Sequence, residues 1–124
     1  MDVTLTGREV EIMAVLWDAG SATVAEVREQ LPDDLAYTTV LSLIRTMESK
    51  GYVRHVGEGR AHRYFPRIQE QAVRRSAVKQ LLSTVFRGTP ELLAAQLVSD
   101  RHLGAAELRR LRALIDERLP ERDR

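Results

Sequence analysis

The hydrophobic period of this chain leaves the helical one in a single stretch, between Gly51 and Pro66, and that interruption restricts the folds open to it. Before Gly51, apolar residues recur every third or fourth position, as on a helix. After it, YVRHV and RAHRYFP carry the two-residue period of strands. The first helix is opened by a Thr-x-x-Glu capping box, Thr6 with Glu9. Its apolar stripe reads Val10, Met13, Leu16 and Trp17, and Ala19-Gly20 ends it. A second box, Thr23 with Glu26, opens a shorter helix striped by Val24, Val27 and Leu31, and Pro32-Asp33-Asp34 breaks it. The third helix occupies AYTTVLSLIRTMESKG, positions 36–51, with Val40, Leu43, Ile44 and Met47 facing inward and Gly51 as a left-handed cap. The two strands are joined at a Gly57-Glu58-Gly59 turn and stop at Pro66.

Three helices with a turn between the second and third, then a hairpin, is the order of a winged helix-turn-helix. The expected fold class is therefore mainly α with a small β-hairpin wing. A winged helix-turn-helix domain is assigned to 1–67 and a helical dimerisation domain to 68–124.

In that second part, Val73, Ala77, Val78, Leu81, Leu82 and Val85 stripe a long helix ending near Gly88. Thr89-Pro90 supplies a cap and an N1 proline for the next, with Leu92, Leu93, Leu97 and Val98 apolar. A last helix after Gly104 carries Leu108, Leu111, Leu114, Ile115 and Leu119. These faces are broad and the arm has little mass to cover them, so a second copy is expected to do so. The expected homodimer interface is Val78, Leu81, Leu92, Leu93, Leu97, Leu108, Leu111 and Ile115. The alternative is an arm that folds back on the winged domain within a monomer. The closing PERDR is expected to fray.

At 124 residues, 44% hydrophobic and 30% charged, the chain reads as one globular protein. It has no cysteine, which excludes disulfides, thiolate metal sites and a cysteine nucleophile. MDVTLTGREVE does not resemble a signal peptide and no apolar run is long enough for a span, so a cytoplasmic location with no membrane partner is expected. The net charge of +1 hides an asymmetry. Residues 1–35 hold two bases against eight acids, and residues 36–67 hold six bases against two. An arginine-rich middle segment is the footprint of a polyanion-binding face.

The outward side of the third helix carries Thr38, Thr39, Ser42, Arg45 and Thr46, not the usual lysines and glutamates. In a helix-turn-helix this helix enters the DNA major groove. Short hydroxyls let the backbone approach, bond base edges or phosphates, and offer threonine methyls to thymine. Arg45 reaches a phosphate or a guanine, and Leu41 is placed to meet a thymine methyl. Tyr37 belongs to the same surface, and Arg60 and Arg63 on the hairpin would touch the flanking backbone. A competing reading has Thr38 and Thr39 merely capping the helix, with Tyr37 or Thr38 as the favoured cap, which leaves Ser42, Arg45 and Thr46 unexplained. Glu48, Ser49 and Lys50 look like ordinary solvated surface.

REVEIMAVLWDAGSATVAEVREQL, LAYTTVLSLIRTMESKGYVRH and GRAHRYFP together resemble the BlaI/MecI/CopY group of bacterial repressors, the penicillinase repressors. The likeness covers nearly the whole chain and is most specific between 36 and 66. It implies a homodimer on a palindromic operator in double-stranded DNA that blocks transcription. In antibiotic-responsive members, a membrane-bound sensor protease triggers cleavage of the arm. The matching bond here is Gln96-Leu97 in LLAAQLVSD, where the staphylococcal members have asparagine-phenylalanine. Copper-responsive members bind metal through C-terminal cysteines, and this chain has none.

The rival from another class is a winged-helix module that docks a protein without specific DNA binding. It would show a contiguous apolar patch where this face shows hydroxyls and arginine. An enzyme is not expected, because no nucleophile–base order, phosphate-binding glycine loop or zinc motif is present. His55 and His62 lie on opposing strands and His102 is distant, so no metal and no cofactor are expected.

Overall fold

The structure, a computed structural model, describes residues 3–121. Arg122, Asp123 and Arg124 of the expected frayed end lie outside the described residues. The element order is α1 (Gly7–Ala19), β1 (Ala22–Thr23), α2 (Val24–Gln30), α3 (Tyr37–Ser49), β2 (Val53–Glu58), β3 (Ala61–Pro66), α4 (Glu70–Thr84), α5 (Pro90–Val98) and α6 (Ala105–Arg118). This is the mainly α, winged helix-turn-helix order expected from the sequence. By contacts, the chain divides into two compact units, 1–78 and 79–124, so the first part of α4 goes with the winged unit.

Both capping boxes form. Thr6 accepts from the Glu9 amide while Glu9 accepts from the Thr6 amide, and Thr23 and Glu26 repeat the exchange. The buried face of α1, however, is Glu9, Ile12, Met13 and Leu16. Val10 is 42% exposed, which corrects its place in the expected stripe. Ile12 is fully buried in its stead, because a helix rotates about 100° per residue and the i, i+3, i+4, i+7 set starts at Glu9. Trp17 is half-buried and donates its indole N–H to the Ile68 carbonyl at 3.0 Å.

On α3 the inner face is dry. Val40, Ile44 and Met47 have no exposed surface, and Leu43 packs at the edge of the same core. The helix ends in a Schellman motif. Gly51 sits at φ +83° and donates to Glu48 O, and Tyr52 donates to Met47 O, both at 3.0 Å.

The sheet order is β1-β3-β2, all antiparallel. The hairpin turn is not Gly57-Glu58-Gly59 as expected. Gly57 and Glu58 belong to β2, opposite His62 and Ala61, and the chain reverses through Gly59-Arg60 alone. Gly59 at φ +61° ahead of a residue with negative φ suits a type II′ turn, whose twist matches that of the strands. This register places Tyr64, 1% exposed, in the core beside Val53. The two-residue strand β1 pairs Ala22 with Tyr64 and Thr23 with Arg63, a pairing the sequence did not announce.

Beyond Ser76, no described residue is buried. In α5 and α6 the leucines face solvent or are half-covered. Thr89 and Pro90 begin α5 as expected, without a side-chain cap bond, and Gly104 precedes α6, donating to Glu107 at 2.8 Å. Among the described residues, no helix is long and apolar enough to cross a membrane.

One ion pair joins the ends of two helices. Glu9, buried at the start of α1, accepts from Lys50 just after α3 at 2.9 Å. Lys50 is thus a structural ligand and not plain solvated surface. Burial pushes the Glu9 carboxyl up, but the Thr6 amide and the Lys50 ammonium outweigh it and hold the group below its ordinary value. A carboxyl lowered in the fold stabilises it above the unfolded-state value and loses that contribution as pH falls through the folded one. Glu9→Gln should therefore cost about 1.5–3 kcal/mol at neutral pH, the range for a hydrogen bond to a charged group. The variant should also lose less stability than wild type between neutral pH and pH ~3. Urea midpoints at the two pH values check this, and equal acid losses in the two proteins would refute it.

Candidate nucleic-acid interface

Helix α3 turns one complete face outward because only its other face meets the core. Thr38, Thr39, Ser42, Arg45 and Thr46 are all exposed, and Tyr37 at the first turn is 45% exposed. Thr38, Leu41, Ser42, Arg45, Thr46 and Ser49 line a shallow depression of about 380 Å³ along this face. Leu41 is not fully outward as expected. It is half-buried and packs against the core with one side while its other side lines the depression.

The cap of α3 is Ala36, and no side chain bonds to the exposed amides of the first turn. Tyr37 is the first helical residue, so neither Tyr37 nor Thr38 caps. Their polar groups, and the partial positive charge of the helix end, remain available to an anion. The Thr46 hydroxyl donates to Ser42 O at 3.1 Å, which leaves its oxygen as an acceptor. The turn from α2 is braced by Arg8, 2.6 Å from Asp33, and by Arg28 donating to Leu35 O at 2.6 Å. Those two arginines are used inside the fold and lie in the acidic first part of the chain.

The wing stands beside this face. Glu48, on the last turn of α3, accepts from His55 Nδ1 on β2 at 2.6 Å, since a carboxylate can only accept. Glu48 is therefore a link from helix to wing, not free surface. His55 and His62 sit diagonally across the two strands, opposite Tyr64 and Gly57 respectively, with rings stacked at 4.2 Å and 13°. Among the described residues, no group of three or more His, Cys, Asp or Glu side chains is placed to hold a metal. Tyr64 lies beneath them, and burial pushes its phenol up. Arg54 covers the Phe65 ring at 4.4 Å.

The arginines differ in how committed they are. Arg45 and Arg60 are exposed and have no ion pair among the described residues, Arg60 lying in the Gly59-Arg60 turn at the wing tip. Arg63 is 29% exposed and contacts Glu58 at 2.8 Å, Glu26 at 3.2 Å and Ser21 at 3.3 Å. The hydrogen bond to Glu58 and the two carboxylate charges raise its guanidinium above the usual value. Glu26 and Glu58 gave no sign in the sequence that they would meet Arg63, because they come from different elements.

An exposed, uncapped helix of hydroxyls and arginine, followed by a hairpin with a basic tip, defines the class: a winged-helix protein. The particular family follows from comparison. This chain belongs to the penicillinase repressor family, whose model matches residues 5–117. The methicillin resistance regulatory protein MecI of Staphylococcus aureus is 21% identical over 116 residues, 92% of this chain and 94% of that protein. The penicillinase repressor of Bacillus licheniformis is 24% identical over 115 residues, covering 91% and 90%. The DNA-binding domain of the repressor BlaI superposes with TM-score 0.52 at 27% identity, over 58% of this chain and 90% of that one. A MarR variant from E. coli in complex with operator DNA shares the fold, with TM-score 0.54 and 18% identity over 94% of this chain and 76% of that one.

Proposed function

We propose that this protein is a homodimeric transcriptional repressor that binds a palindromic operator in double-stranded DNA. The observation that carries this reading is the outer face of α3, where Thr38, Thr39, Ser42, Arg45 and Thr46 stand exposed beside an uncapped N-terminus. α3 enters the major groove, with Tyr37 and the hydroxyls at base edges and phosphates and Leu41 against a thymine methyl. Arg60 reaches the flanking backbone from the wing tip. The family membership supports the same reading.

Pairing of two copies is supported by the second unit. Leu97, Leu103, Leu111 and Leu114 line an apolar groove of about 560 Å³ there. Of the expected interface, Leu81, Leu92, Leu97 and Ile115 are exposed there and Leu93, Leu108 and Leu111 are half-covered, while Val78, also exposed, closes the first unit. A second copy would bury these side chains and supply the core this unit lacks. Release from DNA by cleavage at Gln96-Leu97 is the remaining part of the proposal. Both residues are exposed in the single chain near the end of α5, and Leu97 is among those a second copy would cover, so cleavage there would remove part of the pairing surface. A fragment ending at Gln96 in antibiotic-treated cells is the expected product, and recovery of only the whole chain would remove this part.

The decisive experiment is binding to the DNA upstream of the protein's own gene, against scrambled DNA, at two salt concentrations. Preference that survives the higher salt is expected. Equal loss on both DNAs would leave only charge, and the protein-docking module would replace the repressor. Arg45→Ala should weaken operator binding by about 1–3 kcal/mol and relax specificity at one position, as for a bidentate base contact. A uniform loss on all sequences would make Arg45 a phosphate ligand instead. Ile115→Asp should sediment as a monomer with unchanged helicity and reduced operator affinity. A dimer in that variant would show that the interface lies elsewhere.

A further inference from the structure

We propose that Arg63 is a positioning residue, which fixes the wing on the body of the domain so that Arg60 reaches the phosphate backbone, and is not itself a phosphate ligand. This rests on the DNA-binding reading above and revises the role expected for Arg63 from the sequence.

Arg63 lies on β3, the middle strand, opposite Val56 of β2 on one side and Thr23 of β1 on the other. Its guanidinium reaches two other elements and the residue just ahead of a third. Nε donates to Glu58 Oε2 at 2.8 Å, the last residue of β2 before the turn that carries Arg60. Nη2 is 3.2 Å from Glu26 Oε1 on α2, and Nη1 donates to Ser21 Oγ at 3.3 Å, ahead of β1. Glu26 Oε1 also accepts from the Thr23 amide at 2.8 Å, so the arginine is joined to the capping box that starts α2.

Two carboxylates already balance this cation. A phosphate brought to it would have to displace one of them or stand beside both. Isolated exposed ion pairs contribute little to stability, but a planar fork holding partners on separate elements fixes geometry. β1 is only two residues long and has few backbone bonds of its own to hold the hairpin edge. Arg60, in the turn just past Glu58, is the unpaired cation that this clasp aims.

The test compares Arg60→Gln, Arg63→Gln, Arg63→Lys and the Arg60→Gln/Arg63→Gln double variant. Each is assayed on the upstream DNA across a salt series, beside amide exchange of the free proteins. Losing one phosphate contact makes the log–log salt dependence shallower by about one. Arg60→Gln and Arg63→Gln should each do so, and the double variant should lose about one in total, since both remove the same contact. Arg63→Lys keeps the charge but cannot hold the fork, so it should behave like Arg63→Gln. A loss of two in the double variant, or a full slope in Arg63→Lys, would make Arg63 a phosphate ligand. An unchanged slope in Arg60→Gln or in Arg63→Gln would also overturn the proposal.

In the free protein, Arg63→Gln should speed exchange at least tenfold at Thr23, Arg63 and Tyr64 while leaving Ile12 and Ile44 unchanged. Unchanged exchange along β1 and β3 would overturn the clasp whatever the DNA result. If wild type shows no preference for the upstream DNA but exchange changes as expected, the repressor reading falls and the clasp stands.

Discussion

Helix α3 is held by one face only, and the rest of the winged unit is arranged around that fact. Val40, Ile44 and Met47 are sealed in the same core as Ile12, Met13 and Leu16 of α1 and Val27 of α2. Burial of these side chains fixes the rotation of the helix about its own axis. The opposite face has no packing duty, so its residue types answer to something other than stability. Hydroxyls and one arginine there would be poor choices for a helix that needed only solubility, where lysine and glutamate pairs add support.

The charges divide by what they already hold. Lys50 is engaged with Glu9, Arg8 with Asp33 and Glu11, and Arg63 with Glu26 and Glu58. Apart from Arg8 with Glu11 inside α1, these pairs tie together separate segments of the winged unit. Among the described residues, Arg45 on the helix face and Arg60 at the wing tip hold no ion pair, and nor do Arg54, which covers Phe65, and Arg67 just past the wing. A count of arginines in the middle segment overstates the free charge, because part of it is consumed in joining the wing to the body. What remains lies where a groove-bound helix and a flanking hairpin would meet a duplex.

Where the sequence misled, the cause was a partner distant in the chain. Glu9 occupies a buried position on α1, and a reading that admits only apolar residues to a core shifts the stripe to Val10. The carboxylate is tolerated because Thr6 and Lys50 satisfy it. Gly57-Glu58-Gly59 offers two glycines, and local chemistry does not choose between them. Burial of Tyr64 and pairing of β3 with β1 select the register, and the turn then falls at Gly59-Arg60. Leu41 was placed wholly outward by helical phase, but the core edge takes one side of it.

The sequence alone determined the order of the helices and the hairpin, the two capping boxes, the glycine at the end of α3 and the identity of the outward helix face. These depend on neighbours within a turn or on a period that a single strand or helix imposes, so they are legible one segment at a time. The tertiary structure decided the third strand, the exact pairing of the hairpin and which cations stay free. Those outcomes turn on contacts between residues tens of positions apart, such as Arg63 with Ser21 or Lys50 with Glu9. Only folding brings such groups within the few ångströms over which a hydrogen bond forms, and no local pattern records it.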